Sequence, residues 1–420
     1  MWDAPVVTVT DDVVVSNGAT LTVVSGVRVE FTDYHGLLVT DGALQAAGKV
    51  DDRIVWTTAF PRAFDETQST VGCWNGITFL NVPADAPASY LRWCVLQYAK
   101  AVPGLGLDVA GPRVGGRPPD GAGGALRVVG HSQLEVTGCT FRRNCADRGG
   151  AMAVHYGGAP LLANSLMVDN VGWSRAGAIF VGYAYPVLVH DTLAFNRCVN
   201  PEIFDLTAGA IDHFHAKPRY EGCVIYANET NHHDHHEILE AKSYYTSYCD
   251  IAGVGDGVGC LDQDPLYIRH GQGRLGGRSP CRNAGSYLLV EEQLPETDLD
   301  GFPRREGAEV DMGCYEFTPS SATGDMTPVL VSVPRAWPNP CNPRTTVTFR
   351  TERPGPARLG LHDQRGRLVR TLFAGELPAG EHAVAWDGLD EGGRGAASGT
   401  YLIRLDSDGR LRVGTLTLVR

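Results

Sequence analysis

Gly124-Ala125-Leu126, Gly150-Ala151-Met152, Gly177-Ala178-Ile179 and Gly209-Ala210-Ile211 are four copies of one short pattern, their alanines 26, 27 and 32 residues apart. Each copy is followed by a second apolar run, then by a third that opens on a small residue and closes on asparagine. The third runs read Cys139-Thr-Phe-Arg-Arg-Asn144, Ser165-Leu-Met-Val-Asp-Asn170, Thr192-Leu-Ala-Phe-Asn196 and Cys223-Val-Ile-Tyr-Ala-Asn228, the third copy one residue short. Three short strands without a helix leave an apolar side that one unit cannot bury alone, whereas stacked units build a continuous core. Equivalent residues then lie in columns about 4.8 Å apart. A column of asparagines satisfies its buried amides along itself. Asn144, Asn170, Asn196 and Asn228 therefore read as structural, and the small residues that open each third strand read as a second core column.

Upstream the same texture continues with different loops. Residues 18–31 alternate with period two, and Gly36–Leu44, Ile54–Thr57, Trp74–Phe79 and Leu91–Tyr98 supply further short strands. This succession resembles the coils of bacterial right-handed parallel β-helix repeat proteins, the pectate-lyase-like superfamily, over about residues 5 to 317. The far end is similar to the closing segment of such secreted helices: Asp262-Gln-Asp264, Ser279-Pro-Cys281, Asp298-Leu-Asp300-Gly-Phe-Pro-Arg304 and Asp311-Met-Gly313-Cys314. It reads as a cap, because an open solenoid edge invites aggregation. Calcium held by Asp298, Asp300 and Asp311 is the alternative, since hard oxygen ligands suit that ion.

Residues 318–327 are small, polar and Pro-containing, which predicts a linker between a 1–317 domain and a 328–420 domain. Beyond the linker, Pro338-Asn-Pro-Cys341-Asn-Pro343, Leu359-Gly-Leu361-His-Asp363, Trp386-Asp387-Gly388 and Ser398-Gly399-Thr-Tyr401 follow in order. This set resembles the immunoglobulin-like domain of flagellar hook-capping proteins and the type A sorting domains of type IX secretion. The resemblance implies export, with the secretion machinery as partner and Trp386 and Tyr401 in the core. The expected fold is all-β, a right-handed parallel β-helix solenoid followed by a small immunoglobulin-like β-sandwich.

The formal charge of −12 is uneven. From Met326 onward 13 Arg face 9 Asp and Glu, about +4, which leaves the body near −16. Such a body argues against nucleic acid, whose binding depends on neutralising phosphates. No apolar run is long enough for a transmembrane helix. Met1-Trp2-Asp3-Ala4-Pro5 carries no signal-peptide pattern, so an exported chain is expected here in its mature form, secreted or on the outer cell surface. Eleven cysteines without CxxC exclude the common zinc-finger spacings. Cys249 with Cys260 and Cys281 with Cys314 suit disulfides in an oxidising compartment, while Cys94, Cys139 and Cys223 read as small buried residues.

Aligning the Gly-Ala strands sends Leu126, Met152, Ile179 and Ile211 inward, with Val128, Val154, Val181 and His213 two residues on. Outward then lie Arg127, Ala153, Phe180 and Asp212, followed by Val129, His155, Gly182 and Phe214. Tyr156, Tyr183 and His215 end their strands, and Trp173 and Tyr185 are close in sequence. Tyr156, Trp173, Phe180, Tyr183 and Phe214 form a candidate ligand-binding stripe for a polysaccharide or cell-envelope glycan, since flat aromatic faces suit sugar rings. Packing beneath loops is the other reading of the same residues. For catalysis, as a polysaccharide lyase or glycoside hydrolase, Asp191, Asp212 and Arg219 are weak candidates; paired carboxylates must stand roughly 5 to 9.5 Å apart. His232, His233, His235 and His236, with His213 and His215, are candidate ligands for zinc, although consecutive histidines on a strand alternate direction. A non-catalytic, glycan-binding or structural surface protein is the leading expectation and a secreted enzyme the alternative.

Overall fold

The structure, a computed structural model, describes residues 1–105, 121–131, 133–199, 207–230, 236–239, 244–268, 272–286, 294–304, 309–317, 334–337, 339, 341–351, 355–363, 367–378, 380–407 and 410–419. The chain divides into two units, Met1–Gly324 and Asp325–Arg420. The linker expected at 318–327 lies outside the described residues.

The first unit is a parallel β-helix. Strands Leu126–Val129, Met152–His155, Ile179–Gly182 and Ala208–Phe214 stack as one parallel face. A second face holds Leu134–Thr137, Leu161–Ala163, Val187–Val189 and Arg219–Glu221. The third holds Thr140–Arg142, Leu166–Val168, Thr192–Ala194 and Val224–Tyr226. Each coil also has a fourth short strand after its asparagine, such as Cys145–Arg148 and Val171–Arg175, where three strands are expected from the sequence. The Gly-Ala register runs Leu126, Met152, Ile179, Ile211, with Arg127, Ala153, Phe180 and Asp212 beside it.

Close packing explains the glycine of the repeat. A Cβ on Gly124, Gly150 or Gly177 would overlap the carbonyl oxygen of Gly150, Gly177 or Gly209 respectively. The alanines beside them are fully buried. Single residues in the left-handed region turn the corners: Arg143, Asp169, Phe195 and Ala227, at φ 53° to 63°, each precede a ladder asparagine. One such residue changes chain direction sharply, at about 1 kcal/mol or more when it is not glycine.

The asparagines form a continuous ladder. Nδ2 of Asn144, Asn170 and Asn196 donates to Oδ1 of the next asparagine at 3.0, 2.8 and 2.8 Å. Nδ2 of Asn228, the last, donates to Glu237 instead. In the small-residue column, Asp191 and not Thr192 continues the series Cys139, Ser165, Cys223, because Thr192 pairs with Leu166 and Val224. The third copy is thus full length, and it carries a carboxyl where its neighbours carry a thiol or hydroxyl.

Residues 294–304 and 309–317 run along the flank of the third face. Thr297 O accepts from Asn164 Nδ2, Cys314 N donates to Thr192 Oγ1, and Arg53 donates to Leu299 O. The carboxylates expected to hold calcium are already engaged. Asp298 accepts from the backbone N–H groups of Asp300, Phe302 and Glu316, and Asp311 from those of Asn283 and Phe317. Asp300 pairs with Arg274 through both oxygens. These acids fix the flank strap by taking up backbone donors that strand pairing leaves over.

The second unit packs a three-stranded antiparallel sheet, Arg335–Trp337, Thr345–Thr351 and Gly380–Trp386, with a four-stranded one, Leu368–Leu377, Gly355–His362, Gly399–Ser407 and Arg410–Leu418. Its core holds Val347, Phe349, Leu361, Trp386, Tyr401 and Ile403. Trp386 and Tyr401 meet edge to face at 5.6 Å, and the Tyr401 hydroxyl donates to Ala397 O.

Candidate functional site

Where the Gly-Ala face turns into the second face, Tyr156, Tyr183 and His215 occupy one column of left-handed residues, with φ 49°, 53° and 50°. The Tyr156 and Tyr183 rings stack at 6.2 Å and 8°, and Tyr183 stacks on His215 at 5.2 Å and 17°. Phe214 meets Tyr183 edge to face at 5.3 Å. Tyr183, Tyr185 and Phe214 are 46%, 52% and 39% exposed. The residue one coil before Tyr156 in this column is Gly130, which adds no side chain to the stack. Tyr156, Gly157, Tyr183 and Tyr185 line a shallow depression here. Aromatic rings in water, held by backbone turns rather than by a core, are what binding the flat face of a sugar requires.

Two members of the expected stripe lie elsewhere. Phe180, outward but 3% exposed, packs against Ala122, Ala153 and His155 under the Arg148 guanidinium. Trp173, 7% exposed, is covered by the loop that Lys100 pins, and its Nε1 donates to Glu66 O at 2.7 Å. Lys100 is itself fully buried and donates to Asp65, Thr67 O and Ser69 O.

The candidate catalytic groups do not converge, for they lie on or beside three different faces. Asp191 is fully buried: Oδ1 accepts from Ser165 N at 2.7 Å, Oδ2 has no partner, and burial pushes its carboxyl up to about 8. Asp212, also fully buried, faces Arg175 at 3.2 Å. Arg219 pairs with Glu221 at 3.0 Å on the second face. Nor do His213 and His215 share a site. His213 points into the core, where Nε2 contacts the Tyr220 hydroxyl at 2.5 Å and burial lowers its pKa to about 3, whereas His215 is exposed at the corner. His232, His233 and His235 lie outside the described residues, as does the His236 side chain. Among the described residues one group of potential metal ligands gathers, Asp11, Asp12 and His35.

Sequence reasoning placed His155 outward and gave His190 no reading. Both are buried with Nε2 unpartnered and are driven to about 3, chiefly by desolvation. His190 Nδ1 donates to Asp311 O of the strap at 3.0 Å. A lone histidine beside a core column gives no signal of that kind in sequence.

The antiparallel order of the second unit agrees with a match in sequence. Residues 343–410 match the FlgD Ig-like domain. The Trp386 and Tyr401 pair lies within the matched FlgD Ig-like stretch. No curated protein matches the chain. Among solved structures, PorZ, described as an essential bacterial surface component of the type-IX secretion system of Porphyromonas gingivalis, aligns at 18% identity and a TM-score of 0.17. That alignment covers 26% of this chain and 14% of PorZ. No helix among the described residues is long and apolar enough to cross a membrane.

Proposed function

We propose that this chain is an exported cell-surface or extracellular protein whose β-helix binds glycan at the Tyr156, Tyr183, Tyr185 and Phe214 corner. In this reading the FlgD Ig-like unit is the secretion and attachment module. The observation that carries the binding role is the exposure of three aromatic rings along one corner, on backbone that the solenoid holds rigid. The burial of Asp191 and Asp212 and their separation from Arg219 favour binding over chain cleavage.

The experiment is retention of the whole chain on neutral and acidic polysaccharides, with and without calcium, beside Tyr183→Ala and Phe214→Ala. Each substitution is expected to weaken retention roughly tenfold, the equivalent of one aromatic contact. Retention that both variants keep in full would remove the corner from the proposal, and shortening of the polysaccharide would replace binding with catalysis. Separately, removal of 325–420 is expected to leave the chain inside a bacterium that runs type IX secretion.

A further inference from the structure

Three cysteines end the small-residue column at the last coil. Thr246 to Ile251 pairs in parallel with Val258 to Leu261 through the bridges Ser247 to Val258 and Asp250 to Leu261, which makes Cys249 and Cys260 register partners. Leu261 N donates to Cys249 O at 2.7 Å and closes that pairing. Cys223 lies one coil below, its backbone N donating to Cys249 Sγ at 3.3 Å. The Cys249 thiol donates to Ser247 O at 3.3 Å and the Cys260 thiol to Val258 O at 4.0 Å, each on its own strand. Parallel neighbours about 4.8 Å apart fall inside the Cα separation that a disulfide spans, about 4.4 to 6.8 Å.

Access differs among the three. Cys223 and Cys249 are fully buried, whereas Cys260 is half-buried next to exposed Val258. A Cβ at position 257 would crowd both Cys260 Sγ and Thr246 Oγ1, so Gly257 keeps room for the Cys260 thiol. The neighbouring polar groups, the Cys249 side chain foremost, favour the thiolate and outweigh desolvation, which brings Cys260 down to about 6. The chain also carries its own control. Cys94 and Cys139 are register partners one coil apart, and both are fully buried.

We propose that Cys260 and Cys249 are a redox-active pair, with Cys260 the entry point for exchange with small-molecule disulfides. The Cys260 thiolate attacks one sulfur of the external disulfide, forming a mixed disulfide and releasing one thiolate. Cys249 then loses its proton to water and attacks the Cys260 sulfur, which closes the internal disulfide and releases the second thiolate. Two protein thiols are oxidised and one external disulfide is reduced to two thiols. The bond clasps the terminal strand at 258–261 to the last coil.

The test is peptide mapping of the folded whole chain after incubation with oxidised glutathione. A disulfide joining Cys249 to Cys260, with Cys94 and Cys139 still reduced, is expected, as is glutathione trapped on Cys260 in Cys249→Ser. Oxidation of Cys94 and Cys139 at the same rate would overturn the proposal, because it would mean that the reagent reads unfolding. A second measurement needs no variant. Iodoacetamide at pH 7 is expected to alkylate Cys260 at least about tenfold faster than the ten buried thiols, and equal rates would also overturn it.

Discussion

Nδ2 of Asn228 donates to Oε2 of Glu237 across 2.7 Å, and the backbone N of Asn228 donates to Oε1 at 3.1 Å. The asparagine ladder passes its donors in one direction, each amide to the oxygen of the next, so the last rung needs an acceptor beyond it. The Glu237 carboxyl supplies it with one oxygen for each donor, where every earlier rung takes both donors on a single amide oxygen.

Glu237→Ala is expected to leave two buried donors of Asn228 without their acceptor and to lower stability by about 1–3 kcal/mol. Glu237→Gln is expected to recover most of that loss, since one amide oxygen takes both donors at every earlier rung. Chemical denaturation of the three chains checks the order. A Gln variant no more stable than the Ala variant would mean that Glu237 does not end the ladder by accepting from Asn228.

The pH response of Asp191 gives a second prediction. Its carboxyl stays protonated in the folded chain up to about 8, whereas an unfolded aspartate ionises near 4. Its contribution to stability is therefore fully present below about pH 4 and is lost as the pH rises toward 8. Glu237, also raised to about 8 by burial, acts in the same direction. Asp191→Asn keeps the acceptor for Ser165 N and cannot ionise. It is expected to be close to neutral at pH 4 and stabilising at pH 8 by on the order of a few kcal/mol. Thermal unfolding at both values decides the matter; an offset independent of pH would refute it.

The repeat was legible because a solenoid writes its register into the sequence as recurring Gly-Ala and Asn. Buried columns tolerate few residue types, so the inward and outward assignment follows from strand alternation alone. What resisted reading depends on contacts remote in sequence. Phe180 and Trp173 look like Tyr183 in an alternating pattern, and only the covering contacts of Arg148 and of the loop pinned by Lys100 take them out of solvent. Glu237 sits among histidines that suggest a metal, yet its partner is an asparagine from the preceding coil. Asp191 escaped the core column because a carboxyl is not an expected substitute for Cys or Ser.

Lys100 offers a third prediction. Its ammonium is fully buried and bonded to Asp65 Oδ1 at 2.9 Å and to the carbonyls of Thr67 and Ser69 at 3.0 and 2.6 Å. Those bonds order the loop that covers Trp173. Lys100→Met fills a similar volume and supplies no donor, so the loop is expected to open while the coils persist. Limited trypsin digestion should then cleave after Arg62 at least about tenfold faster than in the parent, because cleavage tracks the population of the open form. Unchanged cleavage would mean that other contacts hold the loop.

Asp298 distinguishes a carboxylate that builds a strap from one that waits for calcium. Its two oxygens accept from Asp300 N at 2.9 Å, Phe302 N at 2.7 Å and Glu316 N at 2.8 Å. Those bonds lower its pKa while burial raises it, and burial prevails, leaving it at about 6. A calcium ion would have to compete with three backbone donors for the same lone pairs. Chelator is therefore expected to leave the unfolding temperature unchanged, while Asp298→Ala lowers stability by about 1–3 kcal/mol per donor left buried and unmet. Asp298→Asn is expected to fall between, because one oxygen still accepts from two of the three. If chelator instead lowered the unfolding temperature and Asp298→Ala abolished that response, the strap would be a calcium site after all.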